Sequence, residues 1–246
     1  MSKYLIVANW KCNPTSEKEA LRLFDSVKKS VNKIKNTEVV ICPPFVYLAL
    51  KSFSGGGFSL GAQNVFFKER GAFTGTVSPL MLKDLKVKYV ILGHSEVREY
   101  LGEDNKIINK KTKLVLNVGL IPILCVGEKD GEEKSIILEE QVKECLKGVL
   151  LKDMKNVIVA YEPVWAIGTG KNCSVDETMS SILLIKSIIT KLYNRGVADK
   201  VKIIYGGSVN SENSESYIKN VRADGLLVGG ASLNSEDFIK IVKSVS

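Results

Sequence analysis

The sequence predicts an α/β fold, a single-domain (β/α)8 barrel spanning residues 1–246. Three observations point to it. Short apolar, β-branched runs alternate eight times with longer stretches of helical periodicity, as expected for parallel strands buried on both faces and joined by crossover helices. No Pro- or Ser-rich linker interrupts the alternation. The length of 246 residues is one that α/β barrels use for a single domain. Eight parallel strands can close so that no edge stays exposed. The rival architecture, an open doubly wound sheet, would carry Gly-x-Gly-x-x-Gly after its first strand, and this chain has none there.

The first strand reads from about Tyr4 to Asn9 and delivers Asn9 and Lys11 to its C-terminal end. Ser16-Glu17-Lys18-Glu19 then caps a helix on which Ala20, Leu21, Phe24, Val27, Val31 and Ile34 form an apolar stripe. Further strands read near Val39 to Pro43, Phe58 to Gln63, Tyr89 to Gly93, Ile121 to Val126, Val157 to Glu162, Lys202 to Tyr205 and Gly225 to Val228. Ser54-Gly55-Gly56-Gly57, before the third of them, reads as a flexible turn rather than a phosphate loop.

The sixth strand leads into Glu162-Pro163-Val164-Trp165-Ala166-Ile167-Gly168-Thr169-Gly170-Lys171. Pro163 fixes its own φ and biases Glu162 towards extended backbone, so the carboxylate stands where a strand ends and a stiff hinge begins. Beyond Trp165, Gly168 and Gly170 suit close backbone approach to a ligand, and Ser174-Val175-Asp176-Glu177 is a capping box that opens the next helix. Strand, acid, lid and helix come in that order. The lid is no Walker A loop, because Trp165 occupies the first glycine position and Asn172 the Ser/Thr position.

Composition narrows the function classes. A hydrophobic fraction of 45% supports a large core, and no apolar run is long enough to span a membrane. The start of the chain enters an apolar strand within a few residues, which leaves no room for a targeting peptide and predicts a cytoplasmic protein. Five cysteines without a Cys-x-x-Cys pair read as reduced thiols, and Asn172-Cys173-Ser174 as a chance glycosylation match. The net charge of +8 is spread over predicted helices, as at Lys110-Lys111 and Lys113, without an Arg-rich tail. It reads as a solvated lysine surface, and no nucleic-acid partner is expected.

In a (β/α)8 barrel the active site forms at the C-terminal ends of the strands, where Lys11, His94, Glu162, Ser208 and Gly229-Gly230 all fall. Glu162, confined under an apolar lid, suits a general base, since excluding water raises a carboxylate's proton affinity. His94 is the one histidine in the chain. Its place between Gly93 and Ser95, before a helical start, favours a functional role over a core one, and helix N–H groups there disfavour added positive charge. Backbone N–H groups at Gly168, Ser208, Gly229 and Gly230 can approach a ligand closely.

The lid, together with Asn9-Trp10-Lys11, Gly61-Ala62-Gln63-Asn64, Gly71-Ala72-Phe73-Thr74-Gly75, Gly93-His94-Ser95-Glu96, Tyr205-Gly206-Gly207-Ser208-Val209 and Leu227-Val228-Gly229-Gly230-Ala231-Ser232-Leu233, resembles the triosephosphate isomerase family in order and over the whole chain. The resemblance implies a TIM barrel and the interconversion of D-glyceraldehyde 3-phosphate and dihydroxyacetone phosphate through an enediolate, in glycolysis and gluconeogenesis. It implies no metal and no organic cofactor, and it implies that the ligand of the N–H groups at Gly168, Ser208, Gly229 and Gly230 is a phosphate dianion. Its established pairing of a glutamate base with a neutral histidine electrophile maps to Glu162 and His94. Lys11 is expected to stabilise the phosphate and the developing oxyanion, and Asn9 to orient substrate or ring. Glu96 is expected to steady Lys11 through an ion pair. Cys125 matches a position behind the base, where small core packing is the competing role. Tyr205 and Ser208 are expected to hold the closed lid through backbone amides near Cys173 and Gly170.

A homodimer is also implied, with the Phe73-Thr74-Gly75 loop entering a neighbour's pocket near Cys12 and the His94 loop. Thr76 and Val97 depart from the family's commonest pattern, which has Glu and Arg there. Two other readings compete. A Schiff-base aldolase would need a buried lysine nucleophile, whereas the sixth strand ends in Glu162. A non-catalytic barrel binding a partner through its basic surface would show salt-dependent nucleic-acid affinity and no turnover.

Overall fold

The computed structural model describes residues 4–32, 34, 36–50, 58–168, 170 and 172–246. Its strands are β1 (Tyr4–Asn9), β2 (Thr37–Cys42), β3 (Phe58–Ala62), β4 (Tyr89–Leu92), β5 (Ile121–Val126), β6 (Ile158–Tyr161), β7 (Lys202–Tyr205) and β8 (Gly225–Val228). They form a closed barrel in sequence order, every neighbouring pair parallel, with β1 joined to β8 from Leu5 opposite Gly225 to Ala8 opposite Val228. A Cβ at Gly225 would lie 1.9 Å from the Leu5 carbonyl oxygen, so the closing seam needs glycine there. The helices are α1 (Glu17–Val31), α2 (Pro79–Asp84), α3 (Ser95–Tyr100), α4 (Asn105–Asn117), α5 (Lys134–Leu146), α6 (Val175–Leu192), α7 (Arg195–Ala198), α8 (Ser214–Lys219) and α9 (Ser235–Ser244).

Side-chain alternation along the strands divides the core in two. Leu5, Val7, Val40, Cys42, Ile91, Ile123, Cys125, Ala160 and Leu227 fill one cluster, inside the barrel. Their neighbours Ile6, Ala8, Ile41, Val90, Leu124 and Val159 join the other cluster, with the helices. In α1 the expected stripe is buried at Ala20, Phe24, Val27 and Val31, with Leu21 and Ile34 packed against it. The Ser16 hydroxyl accepts the Glu19 N–H at 3.3 Å. Among the described residues, no helix is long and apolar enough to cross a membrane.

Strand ends differ from the sequence reading by a residue or two. β2 begins at Thr37 and stops before Pro43, which lacks the N–H a ladder needs. β3 stops at Ala62, before Gln63, and β4 at Leu92, before Gly93. β6 stops at Tyr161, although the Glu162 N–H still bonds to the Val126 carbonyl at 2.8 Å. The Ser54-Gly55-Gly56-Gly57 turn lies outside the described residues.

Candidate active site

At the mouth of the barrel Lys11 takes a left-handed backbone, φ 53°, which a non-glycine residue adopts at a cost of about 1–3 kcal/mol. Its neighbours impose it. The Asn9 side-chain oxygen accepts the Lys11 N–H at 3.1 Å, and Gln63 Nε2 donates to the Lys11 carbonyl at 2.8 Å and to the Cys42 carbonyl at 2.9 Å. Thus held, the Lys11 ammonium reaches Glu96 Oε1 at 2.7 Å.

His94 is the N-cap of α3, and its Nδ1 accepts the Glu96 N–H at 3.2 Å. A ring nitrogen that accepts carries no proton, so this contact fits the neutral tautomer with its proton on Nε2. Nε2 lies 3.5 Å from Glu162 Oε1. Arg98, one turn along α3, ties the His94 loop down by donating to the Gly93 carbonyl at 2.7 Å and the Asn105 side-chain oxygen at 2.7 Å.

Glu162 is buried, and its Oε2 has no hydrogen-bond partner among the described residues. Burial pushes its carboxyl above the usual carboxylate range, and His94, the Cys125 thiol and Lys11 offset part of that rise. Burial likewise pushes the Cys125 thiol well up, and the neighbouring Glu162 adds to this, so a protonated thiol stands beside the carboxylate. Strand β7 approaches from the other side. A Cβ on Gly206 would meet Glu162 Cγ at 2.7 Å, so glycine is required for the carboxylate to occupy this place.

The lid leaves β6 through Pro163 and a 3₁₀ turn, Val164–Ala166. Trp165 Nε1 donates to Glu128 Oε1 at 3.2 Å, and the Tyr161 hydroxyl donates to the same oxygen at 3.1 Å. At the far end the Ser174–Glu177 capping box is formed in full. The Tyr205 hydroxyl accepts the Cys173 N–H at 3.2 Å. Ser208 differs from expectation: its hydroxyl donates to the Ala166 carbonyl at 2.6 Å, spending its proton on the lid's first turn. Thr169 and Lys171 lie outside the described residues.

A cleft of about 380 Å³ brings together Asn9, Lys11, His94, Glu162, Gly168, Ser208, Gly229 and Gly230. Gly229 precedes a 3₁₀ turn, Gly230–Leu233, and the Ser232 hydroxyl donates to the Gly229 carbonyl at 2.7 Å. Glu96, Cys125 and Tyr205 are not part of this lining: Glu96 pairs with Lys11, Cys125 lies beside Glu162 and Tyr205 holds the Cys173 N–H. Cys12, Thr74 and Thr76 lie outside the cleft on exposed loops, and Val97 is half-buried on α3. Sequence reasoning assigned no role to Gln63, Arg98 or Gly206. Gln63 and Gly206 each stood inside a family motif, and Arg98 follows His94 at the helical spacing of one turn, which were the only signals they offered.

A family model described as triosephosphate isomerase matches residues 4–245. Among curated relatives, the triosephosphate isomerase of Thermoanaerobacter sp. (strain X514) is 46% identical over 249 residues, covering 98% of this chain and 99% of the relative. That of Dictyoglomus thermophilum is 44% identical over 252 residues, with 99% and 100% covered. That of Dehalococcoides mccartyi (strain ATCC BAA-2100 / JCM 16839 / KCTC 5957 / BAV1) is 42% identical over 252 residues, with 100% and 98% covered.

Proposed function

We propose the following roles for its residues from the premise that this chain belongs to the triosephosphate isomerase family and interconverts D-glyceraldehyde 3-phosphate and dihydroxyacetone phosphate, a step of glycolysis and gluconeogenesis. The observation that carries the assignment is the buried Glu162 carboxylate 3.5 Å from His94 Nε2, in one cleft with the Lys11 ammonium. Glu162 removes a proton from C1 of dihydroxyacetone phosphate while the His94 Nε2–H donates to the C2 carbonyl oxygen. The electron pair of the broken C–H bond enters the C1–C2 double bond of an enediolate. The C2=O π pair moves onto that oxygen, which takes the Nε2 proton; the ring recovers a proton from the C1 hydroxyl, Glu162 delivers its proton to C2, and the C1 oxygen becomes the aldehyde oxygen, so both side chains end as they began.

Lys11 offsets negative charge on the oxyanion and the phosphate, and it is oriented for this by Glu96. Its ion pair with Glu96 also speaks against an aldolase lysine, which needs an uncharged amine. Backbone N–H groups at Gly168, Ser208, Gly229 and Gly230 take the phosphate. The proton moves only between groups of the chain and the substrate, so no metal or organic cofactor enters the scheme. The closed lid keeps the enediolate from eliminating phosphate, a side reaction that yields methylglyoxal and inorganic phosphate.

A homodimer is supported by where the chain leaves apolar groups. The segments that follow β2, β3 and β4, neighbours in the barrel, expose Val46, Phe73, Met81, Tyr100 and Leu101, and Cys12 after β1 is exposed as well. Large apolar side chains left exposed on segments that follow successive strands suit burial against a partner. The free thiols among the described residues support the cytoplasm as the compartment.

A coupled assay with glyceraldehyde 3-phosphate tests the roles. The wild type turns over without added metal, and Glu162→Gln and His94→Gln each lose about 10²–10⁴-fold in kcat. Wild-type kcat in Glu162→Gln rejects Glu162 as the base.

A further inference from the structure

We propose that Tyr217 is a second positioning residue for the lid, clamping its C-terminal hinge together with Tyr205. The proposal rests on the lid reading given above and extends it to a residue outside the cleft. Cys173 is the last lid residue before the Ser174 cap of α6. Its N–H donates to the Tyr205 hydroxyl at 3.2 Å, and its carbonyl accepts from the Tyr217 hydroxyl at 2.6 Å. Asn172 Nδ2 donates to the same Tyr217 oxygen at 3.1 Å, so three consecutive positions, 172 to 174, are each tied to a side chain on another segment or on α6. The two tyrosine rings are stacked, centroids 4.1 Å apart and planes 28° apart, and both are buried.

The N–H and the carbonyl of Cys173 belong to successive peptide planes, and only the φ and ψ of Cys173 relate one plane to the other. Fixing both planes fixes both angles. Tyr205 alone leaves ψ free; Tyr217 removes that freedom, and the stack makes the two rings one rigid jaw. A lid that swings must absorb its rotation at a few terminal residues. The first hinge is already stiffened by Pro163, so rotation at the second has to break one or both hydroxyl contacts. Tyr217 is carried by α8 and does not line the cleft. Its effect on the reaction therefore passes through the closed-lid population.

The test compares Tyr217→Phe, which keeps the ring and removes the hydroxyl, with Tyr205→Phe and with Tyr193→Phe. The last deletes another hydroxyl that donates to carbonyls, those of Leu146 and Val149, away from the lid. For each, methylglyoxal formed per turnover and the Kd of phosphoglycolate are measured alongside kcat, KM and the unfolding temperature. Tyr217→Phe is expected to weaken phosphoglycolate about fivefold and to raise the methylglyoxal share by about the same factor, the scale of one lost hydrogen bond. The double variant with Tyr205→Phe is expected to fall short of the product of the two single effects, since both act on one residue. Tyr193→Phe lowers the unfolding temperature and leaves partitioning alone. Wild-type partitioning and inhibitor affinity in Tyr217→Phe, with Tyr205→Phe altered, overturn the role of Tyr217. If both are unaltered, the lid reading falls as well. Should Tyr217→Phe not fold, Asn172→Ala, which removes the donor that orients the hydroxyl, is expected to shift the same two readouts about twofold, and no shift overturns the proposal.

Discussion

Burial raises the proton affinity of Glu162, with opposite consequences for activity and stability. The base must be ionised, so kcat/KM is lost as pH falls through the raised value, above the range of an exposed carboxylate. For stability, the folded chain holds this proton more tightly than the unfolded chain. Between the unfolded and folded values the native state carries more protons, so stability falls as pH rises through that window and stays lower above it. Glu162→Gln cannot ionise and escapes this cost. It is expected to unfold at a higher temperature than the wild type when pH exceeds the folded value, with the gap closing in acid below the unfolded value. Thermal melts across pH and a pH–rate profile check both signs. An acid limb at the ordinary carboxylate value, or a Gln variant less stable than the wild type in the upper range, contradicts the account.

The elements were legible where local chemistry decides them. Val157 to Tyr161 is a β-branched and aromatic run that has no competing reading, and Ser174 with Glu177 spells a helix start. Lys11 illustrates what was not legible. Its place beside Asn9 marks it as functional, but its left-handed backbone depends on Gln63, 52 positions away, whose amide bridges the ends of β1 and β2. Gly206 and Tyr217 escaped for the same reason, because the groups they accommodate or hold arrive from other strands and loops. Gln63→Ala removes both bridging hydrogen bonds while leaving the strands intact. It is expected to lower kcat by about tenfold, the scale of one buried hydrogen bond lost from each carbonyl. Steady-state kinetics check this, and an unaltered kcat shows that Asn9 alone holds Lys11.

For the assembled molecule, Thr76 and Val97 stand where the family's commonest pattern has Glu and Arg. The Thr76 hydroxyl turns inward, donating to the Phe73 carbonyl at 2.7 Å, and so stiffens the loop proposed to enter the neighbour. Replacing a buried ion pair by neutral groups is often neutral or stabilising, whereas one unpaired charge costs about 3–5 kcal/mol. The dimer is therefore expected to be intact. Thr76→Glu is expected to weaken it, and adding Val97→Arg to recover part of the loss. Sedimentation equilibrium over a dilution series, with activity followed in parallel, checks these outcomes. A monomeric, active wild type defeats the dimer, and strict additivity defeats the pairing.

The β1–β8 seam joins the first strand of the barrel to the last. Asn9 and Lys11 stand at the end of the first strand and Gly229 and Gly230 in the loop after the last, so the proposed phosphate cradle is divided between residues far apart in the sequence. A ribosome makes the first of these long before the second. Until the eighth strand emerges, the growing polypeptide has an open sheet with two unsatisfied edges and half a cradle. The barrel therefore cannot close before the eighth strand is made, and a product lacking that strand retains Lys11, His94 and Glu162 but not the backbone donors at Gly229 and Gly230.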